Sequence, residues 1–219
     1  MKYLLALLIM LSACTNVTVY SGNEKPNFYL LAEYNLPLYM ENYSSPICGT
    51  TLTSRGIVTA SHCVNGPPVQ LYVQDSTGSL YPVEVIAIDS FETTDIAVLS
   101  IPRDLNLNLR AEIAKVEPEV GQDVWITGCG AGECDAFSYG IVSKIYVRDH
   151  YGMIANQFDA TIWYGNSGGG IFDSDNKLVG VVSQFGPQFN RQGGGEPETG
   201  WLYGCPVKAI RQVTEDALR

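Results

Sequence analysis

The sequence predicts an all-β protein, and three observations point there. Short runs of β-branched and aromatic residues recur along the 219-residue chain. They are separated at short intervals by turn formers, of which 22 are Gly and 11 are Pro. No helical periodicity of any length appears before the C-terminal end. With 46% hydrophobic and 16% charged residues, the chain is too apolar to be disordered. Its length allows one large domain or two small fused lobes.

Taken in order, strand-like runs fall at 29–32, 49–53, 57–60, 69–73, 83–88 and 96–99. Residues 103–121 are polar and poor in strand pattern, with Asn106, Asn108, Pro118 and Gly121. That stretch reads as a crossover between lobes of about 28–105 and 120–205. Further runs follow at 124–127, 141–147, 153–158, 178–184 and 201–203. Such spacing favours barrels or sandwiches. Val207, Ile210, Val213 and Leu218 approximate one face of a terminal helix over about 206–218, with Pro206 ahead of it.

Lys plus Arg number 13 against 23 Asp plus Glu, a formal net charge of −10. This excludes a nucleic-acid partner gripped through phosphates and a polybasic hold on anionic lipid. The N-terminus nevertheless points to a membrane. Lys2, an apolar run from Leu4 to Leu11 and then Ser12-Ala13-Cys14 describe a secretory signal. Leu11-Ser12-Ala13-Cys14 resembles the lipobox of bacterial lipoproteins. That resemblance implies removal of residues 1–13, acylation of Cys14 and a membrane held through lipid. Thr15 beside Cys14 favours the outer membrane if the envelope has two. An ordinary secretory signal that contains a Cys is the alternative. Residues 14–27 then read as a lipidated Cys and a tether.

Export accounts for the cysteines. Of six, Cys14 is assigned to lipid. Cys48 and Cys63 flank two strand-like runs and could bridge in an oxidising compartment, worth ~3 kcal/mol on the chain-entropy model. Cys129, Cys134 and Cys205 leave one unpaired, with Cys129–Cys134 favoured by nearness. No pair has zinc-ligand spacing with a nearby His, and the chain has only two His. No metal and no cofactor are expected.

Three segments carry chemistry: Thr59-Ala60-Ser61-His62-Cys63, Thr94-Asp95-Ile96-Ala97 and Gly165-Asn166-Ser167-Gly168-Gly169. Each residue alone has a plain reading: a core His, a turn Asp, a flexible loop. Together, and in the order His, Asp, Ser, they resemble the motifs of chymotrypsin-like (trypsin-fold) serine proteases. The resemblance runs from about residue 45 to the C-terminus. It implies two six-stranded antiparallel β-barrels with a short C-terminal helix. It also implies His62 as general base, Asp95 as its orienting partner and Ser167 as nucleophile. The N–H groups of Gly165 and Ser167 would form the oxyanion hole. The Cys48–Cys63 pair fits the family's bridge beside the His. Ser183, Gln184, Phe185 and Gly186 resemble the strand edge that pairs with the substrate backbone.

Two departures bear on function. Asn166 stands where zymogen-type members carry Asp, a pattern closer to bacterial Deg/Htr-type and glutamyl-endopeptidase members. No stretch after Ser167 is long enough for an added peptide-binding module. Counting back from Ser167, Thr161 falls where the family places the base of the specificity pocket; it is uncharged, which removes the usual support for Lys/Arg preference. Arg191, Glu196 and Glu198 lie in a loop that would rim the pocket, although a solvated loop is the plainer reading. His150 sits in a polar turn and reads as surface. The expected protein is a monomeric, lipid-anchored endopeptidase of the cell envelope acting on protein or peptide. An inactive protease-fold lipoprotein that binds, or serves in surface exclusion, is the alternative.

Overall fold

The computed structural model describes residues 25–90, 92–149, 152–185 and 201–219. Cys14, His150, Gly186, Arg191, Glu196 and Glu198 lie outside the described residues.

The chain enters through α1 (Phe28–Tyr34), where the sequence reading placed a strand at 29–32. The Asn27 side chain accepts a hydrogen bond from the Tyr29 N–H at 3.1 Å and so caps the first turn. Leu31 and Tyr34, three apart, turn the same helical face into the core. Cap and spacing outweigh the local β preference of an aromatic-aliphatic run. Pro26 is buried, and the Asn27 N–H donates to Asn176 Oδ1, so the segment ahead of α1 is already docked.

Seven strands build the first lobe: β1 (Leu38–Met40), β2 (Thr51–Thr53), β3 (Gly56–Thr59), β4 (Leu71–Gln74), β5 (Leu80–Val83), β6 (Val85–Asp89) and β7 (Ile96–Leu99). They form two sheets, β1-β4-β5 and β2-β3-β7-β6. Only Glu84 separates β5 from β6, so the pair is one strand bent between sheets. Glu84 exchanges hydrogen bonds with Ser100 at the bend. Bridges Leu38↔Cys48 and Asn35↔Thr51 close the ring on its other side. Leu38, Leu52, Ile57, Val73 and Leu99 fill the interior. Each such fully buried side chain contributes about 1.5–3 kcal/mol.

In the crossover, β8 (Glu112–Ile113) pairs in parallel with the second lobe's edge. That lobe consists of β9 (Asp123–Ile126), β10 (Ser138–Arg148), β11 (Ile154–Ala160), β12 (Gly170–Phe172), β13 (Lys177–Phe185) and β14 (Leu202–Cys205). The order β12-β9-β10-β11-β14-β13 closes through β12–β13 into a six-stranded antiparallel barrel. The chain ends in α2 (Val207–Asp216), which buries Val207, Ile210 and Val213. Leu218, counted with that face from the sequence, lies beyond the helix and is exposed.

β3 and β7 are buried at every residue. Ile57 and Leu99 point into the first barrel, whereas Val58, Ile96 and Val98 join the second core cluster, to which α2 contributes Ile210 and Val213. Two-sided burial explains why β7 is apolar at each of its residues, Ile-Ala-Val-Leu. It also fixes both strand ends, and the chemistry sits just beyond them.

Candidate active site

β3 runs through Ala60 into a 3₁₀ turn, Ser61–Cys63, that presents His62. A disulfide from Cys63 to Cys48 pins the turn. Asp95 precedes β7 on a turn in which Asp95 N–H donates to Ser90 O at 3.0 Å and Thr94 Oγ1 donates to Asp89 Oδ2 at 2.6 Å. Its φ of 55° is left-handed, a conformation Asp tolerates better than most residues.

The Asp95 carboxylate is fully buried, while the His62 side chain is 36% exposed. Oδ2 accepts from His62 Nδ1 at 2.8 Å and from the Ser183 hydroxyl. Oδ1 accepts from the Ser61 hydroxyl at 2.8 Å and the His62 backbone N–H at 3.0 Å. Burial pushes the Asp95 carboxyl upward, but the His62 hydrogen bond and charge, the Ser183 hydroxyl and the His62 N–H outweigh it. The net result lies below the usual carboxylate range. His62 is thereby held with Nδ1–H toward the acid and Nε2 away from it.

Ser167 comes from the other lobe, on the turn before β12. Its hydroxyl donates to the Ser183 carbonyl at 3.2 Å. Ser183 therefore serves both sides, its hydroxyl on Asp95 and its carbonyl on Ser167. Gly165, at φ 100°, packs so closely that a Cβ would stand 2.2 Å from the Cys129 carbonyl. Gly168, at φ 81°, seats the turn against β3, where a Cβ would stand 2.1 Å from Thr59 Oγ1. Asn166 is buried, and its Oδ1 accepts from the Trp163 N–H at 2.7 Å. The turn is thus held by its own amide, with no charged partner in the bond.

Of the other residues singled out from the sequence, Gln184 spends its side-chain amide on Asp149. The Phe185 ring meets Tyr164 edge-on at 5.3 Å beside the Ser167 turn. Thr161 is exposed, one residue past β11. Cys129 and Cys134 are bonded to each other and Cys205 is a buried free thiol. Its Sγ lies 2.8 Å from the Thr94 carbonyl and 3.1 Å from that of Asp95. Burial, then the Asp95 charge, pushes this thiol well above its ordinary range, so it stays protonated. Cys48, His62 and Cys63 come close enough to suggest a metal site, but the disulfide leaves their sulfurs no thiolate.

Sequence reasoning missed the hydroxyl of Ser61, inside a motif it had already quoted. It also missed Gly128 and Gly130, where a Cβ would stand 2.8 and 2.5 Å from Asn166 atoms. Nothing local marks those glycines, because the residue they accommodate lies across the lobe. Asn35, just past α1, was missed too; its Nδ2 donates to the Gly128 carbonyl at 3.2 Å and the Cys134 carbonyl at 2.9 Å.

Two packed β lobes, one carrying His62 hydrogen-bonded to the buried Asp95 and the other the glycine-flanked Ser167, make a trypsin-like architecture. The chain belongs to the trypsin-like peptidase domain family, whose model matches residues 48–181. It is 33% identical over 162 residues to a probable periplasmic serine endoprotease DegP-like of Halomonas elongata, covering 73% of this chain and 32% of that protein. It is 26% identical over 175 residues to the serine endoprotease DegS of Salmonella typhimurium, covering 78% of this chain and 48% of that one. The chain therefore spans between a third and a half of these relatives' length. Among solved structures it resembles the serine endoprotease from Yersinia pestis, with TM-score 0.69, 22% identity, and coverage of 88% of this chain and 67% of that chain. The HtrA-type protease AlgW, solved with a decapeptide, matches with TM-score 0.67, 20% identity and the same coverage.

Proposed function

We propose that this chain is a serine endopeptidase of the cell envelope that cleaves protein or peptide substrates through an acyl-enzyme. The observation that carries the proposal is the double role of Ser183, which links Asp95 to Ser167 through one residue. On this reading the Ser167 hydroxyl swings from the Ser183 carbonyl to His62 Nε2 as substrate binds, since such bonds often tighten only in the complex. Ser167 Oγ attacks the peptide carbonyl carbon and His62 takes its proton. The imidazolium returns that proton to the leaving amine, and water then repeats the sequence on the ester. N–H groups of Gly165 and Ser167 receive the developing oxyanion. The strand edge from Ser183 to Phe185 takes the substrate backbone, with Thr161, Tyr164 and Phe185 beside the side-chain pocket. All these residues come from one chain, so a monomer suffices.

The periplasmic description of the Halomonas relative supports export. The lipobox of residues 11–14 carries the further proposal of an acylated Cys14 and a membrane-held enzyme. Labelled palmitate should enter the wild-type chain in cells and not Cys14→Ser; equal labelling of both defeats the anchor.

Activity is tested with a fluorophosphonate. It should add covalently at Ser167 of wild type and leave Ser167→Ala untouched. Peptide turnover in that variant should fall by about 10⁴–10⁶ with no change in Tm. Undiminished turnover refutes the mechanism. An unlabelled, inert wild type would favour an inactive binding protein on this scaffold.

A further inference from the structure

The acid of the candidate site has an unusual symmetry. Each Asp95 oxygen receives one hydrogen bond from His62 and one from a serine hydroxyl. On Oδ2 the pair is the imidazole Nδ1–H and Ser183; on Oδ1 it is the His62 backbone N–H and Ser61. Ser61 and Asp95 are both fully buried, and the Ser61 hydroxyl reaches Oδ1 at 2.8 Å, an ordinary hydrogen-bond length, with water excluded from both groups. Ser183 divides its role, because its carbonyl also receives Ser167. The Ser61 side chain has no second hydrogen-bond partner among the described residues, so its hydroxyl is given to the acid.

We infer that Ser61 is a positioning residue of the site: its hydroxyl fixes the rotation of the Asp95 carboxylate and draws charge toward Oδ1, away from the imidazole. The inference rests on the proposed protease reading. Its chemistry is simple. With the His62 backbone N–H at 3.0 Å as its sole donor, Oδ1 would be held more loosely, and a small turn about Cβ–Cγ misdirects the lone pair that orients His62. The Ser61 hydroxyl, the shorter of the two donors on Oδ1, opposes that turn. The same donor stabilises the anion, so less charge remains to stabilise an imidazolium at Oδ2.

Removing the hydroxyl should therefore loosen the carboxylate, which then orients the base less well, slows the chemical step and leaves substrate affinity unchanged. Among the described residues, two further titratable groups lie near the acid and are otherwise engaged. Cys205, on β14, faces the Asp95 backbone carbonyl and stays a neutral thiol. Asp89, at the end of β6, is engaged by Thr94 and the Ser90 N–H.

The variant is Ser61→Ala, which removes one oxygen and adds no volume. Phosphonylation by a fluorophosphonate should have a maximal rate about 5–20-fold below wild type, with an unchanged half-saturating concentration, on the scale of one charge-assisted hydrogen bond. In parallel, the ¹H NMR resonance of the His62 Nδ1 proton should shift between wild type and Ser61→Ala. That readout requires no turnover. Identical rate and resonance in the two proteins overturn the assignment. An unlabelled wild type would count against the protease reading alone, and the resonance would still decide the place of Ser61: a shift supports it and no shift removes it.

Discussion

Asp95 shows how one buried charge shapes the molecule at the scale of a residue. Burial in a medium of low polarity disfavours its ionised form, yet the His62 hydrogen bond and charge, the Ser183 hydroxyl and the His62 backbone N–H more than compensate. A carboxylate whose folded value lies below its unfolded one binds fewer protons in the native state. Its stabilisation is complete above the unfolded value of about 4 and is lost as pH falls through the lower folded value. The stability advantage of wild type over Asp95→Asn, read as the urea midpoint, should therefore be steady from neutrality to about pH 5 and shrink toward about pH 2.5. A constant gap over that range would show that the carboxylate's charge is not what stabilises this turn. Asp95 itself was legible from its motif. The burial and the Ser61 hydroxyl were not, because donors from β13 and the 3₁₀ turn meet only after the lobes pack.

Among the elements, the turn before β12 is built on contact rather than propensity. Gly168 N–H donates to the Val182 carbonyl at 2.8 Å while its Cα rests against Thr59 and the Gly49 carbonyl. A methyl there meets both Thr59 Oγ1 and Gly49 O at 2.3 Å or less, in a left-handed backbone. Gly168→Ala should cost about 2–4 kcal/mol in urea unfolding and reduce phosphonylation sharply. A near-wild-type midpoint would mean that β3 and the turn can move apart freely. The same scale holds the main misreading of the sequence. Residues 29–32 look like a strand in isolation, and become α1 because Asn27 caps them and the core accepts Leu31 and Tyr34 from one face. A cap and a three-residue spacing are weak signals over seven residues.

At the scale of the whole molecule, α2 ties the second lobe to the outer face of β3 and β7. Its N-terminus has no side-chain cap of its own. Glu117, from the crossover, supplies one: its carboxylate accepts from the Val207 and Lys208 N–H groups, from Tyr146 and from Asn156. The phenol of Tyr146 is pushed up to about 12, by burial first and by Glu117 next. Glu117→Ala should lower stability by about 1–3 kcal/mol and bring one tyrosine back toward the ordinary range in an ultraviolet titration. An unchanged titration would leave burial as the sole cause. Activation belongs to this scale as well. Because Asn166 Oδ1 already holds the Trp163 N–H, the Ser167 turn needs no new N-terminal amine to order it. Protein beginning near Asn23 should be phosphonylated as fast as the full mature chain. A form silent until trimmed between Lys25 and Cys48 would restore a zymogen model.

What the amino-acid order determined by itself was the β class and the three chemical motifs in their sequence order. Each is written in a few adjacent residues, so local chemistry suffices to read it. The bridges were less legible: Cys48–Cys63 stood as a possibility supported by resemblance and Cys129–Cys134 was favoured only by nearness, and the structure forms both. The tertiary structure alone decided which groups meet: Ser61 and Ser183 on opposite oxygens of Asp95, Glu117 under α2, Gly128 and Gly130 around Asn166. Those contacts join residues dozens of positions apart. Their energy depends on direction and on exclusion of water, and neither exists until both barrels have closed and α2 has packed across them.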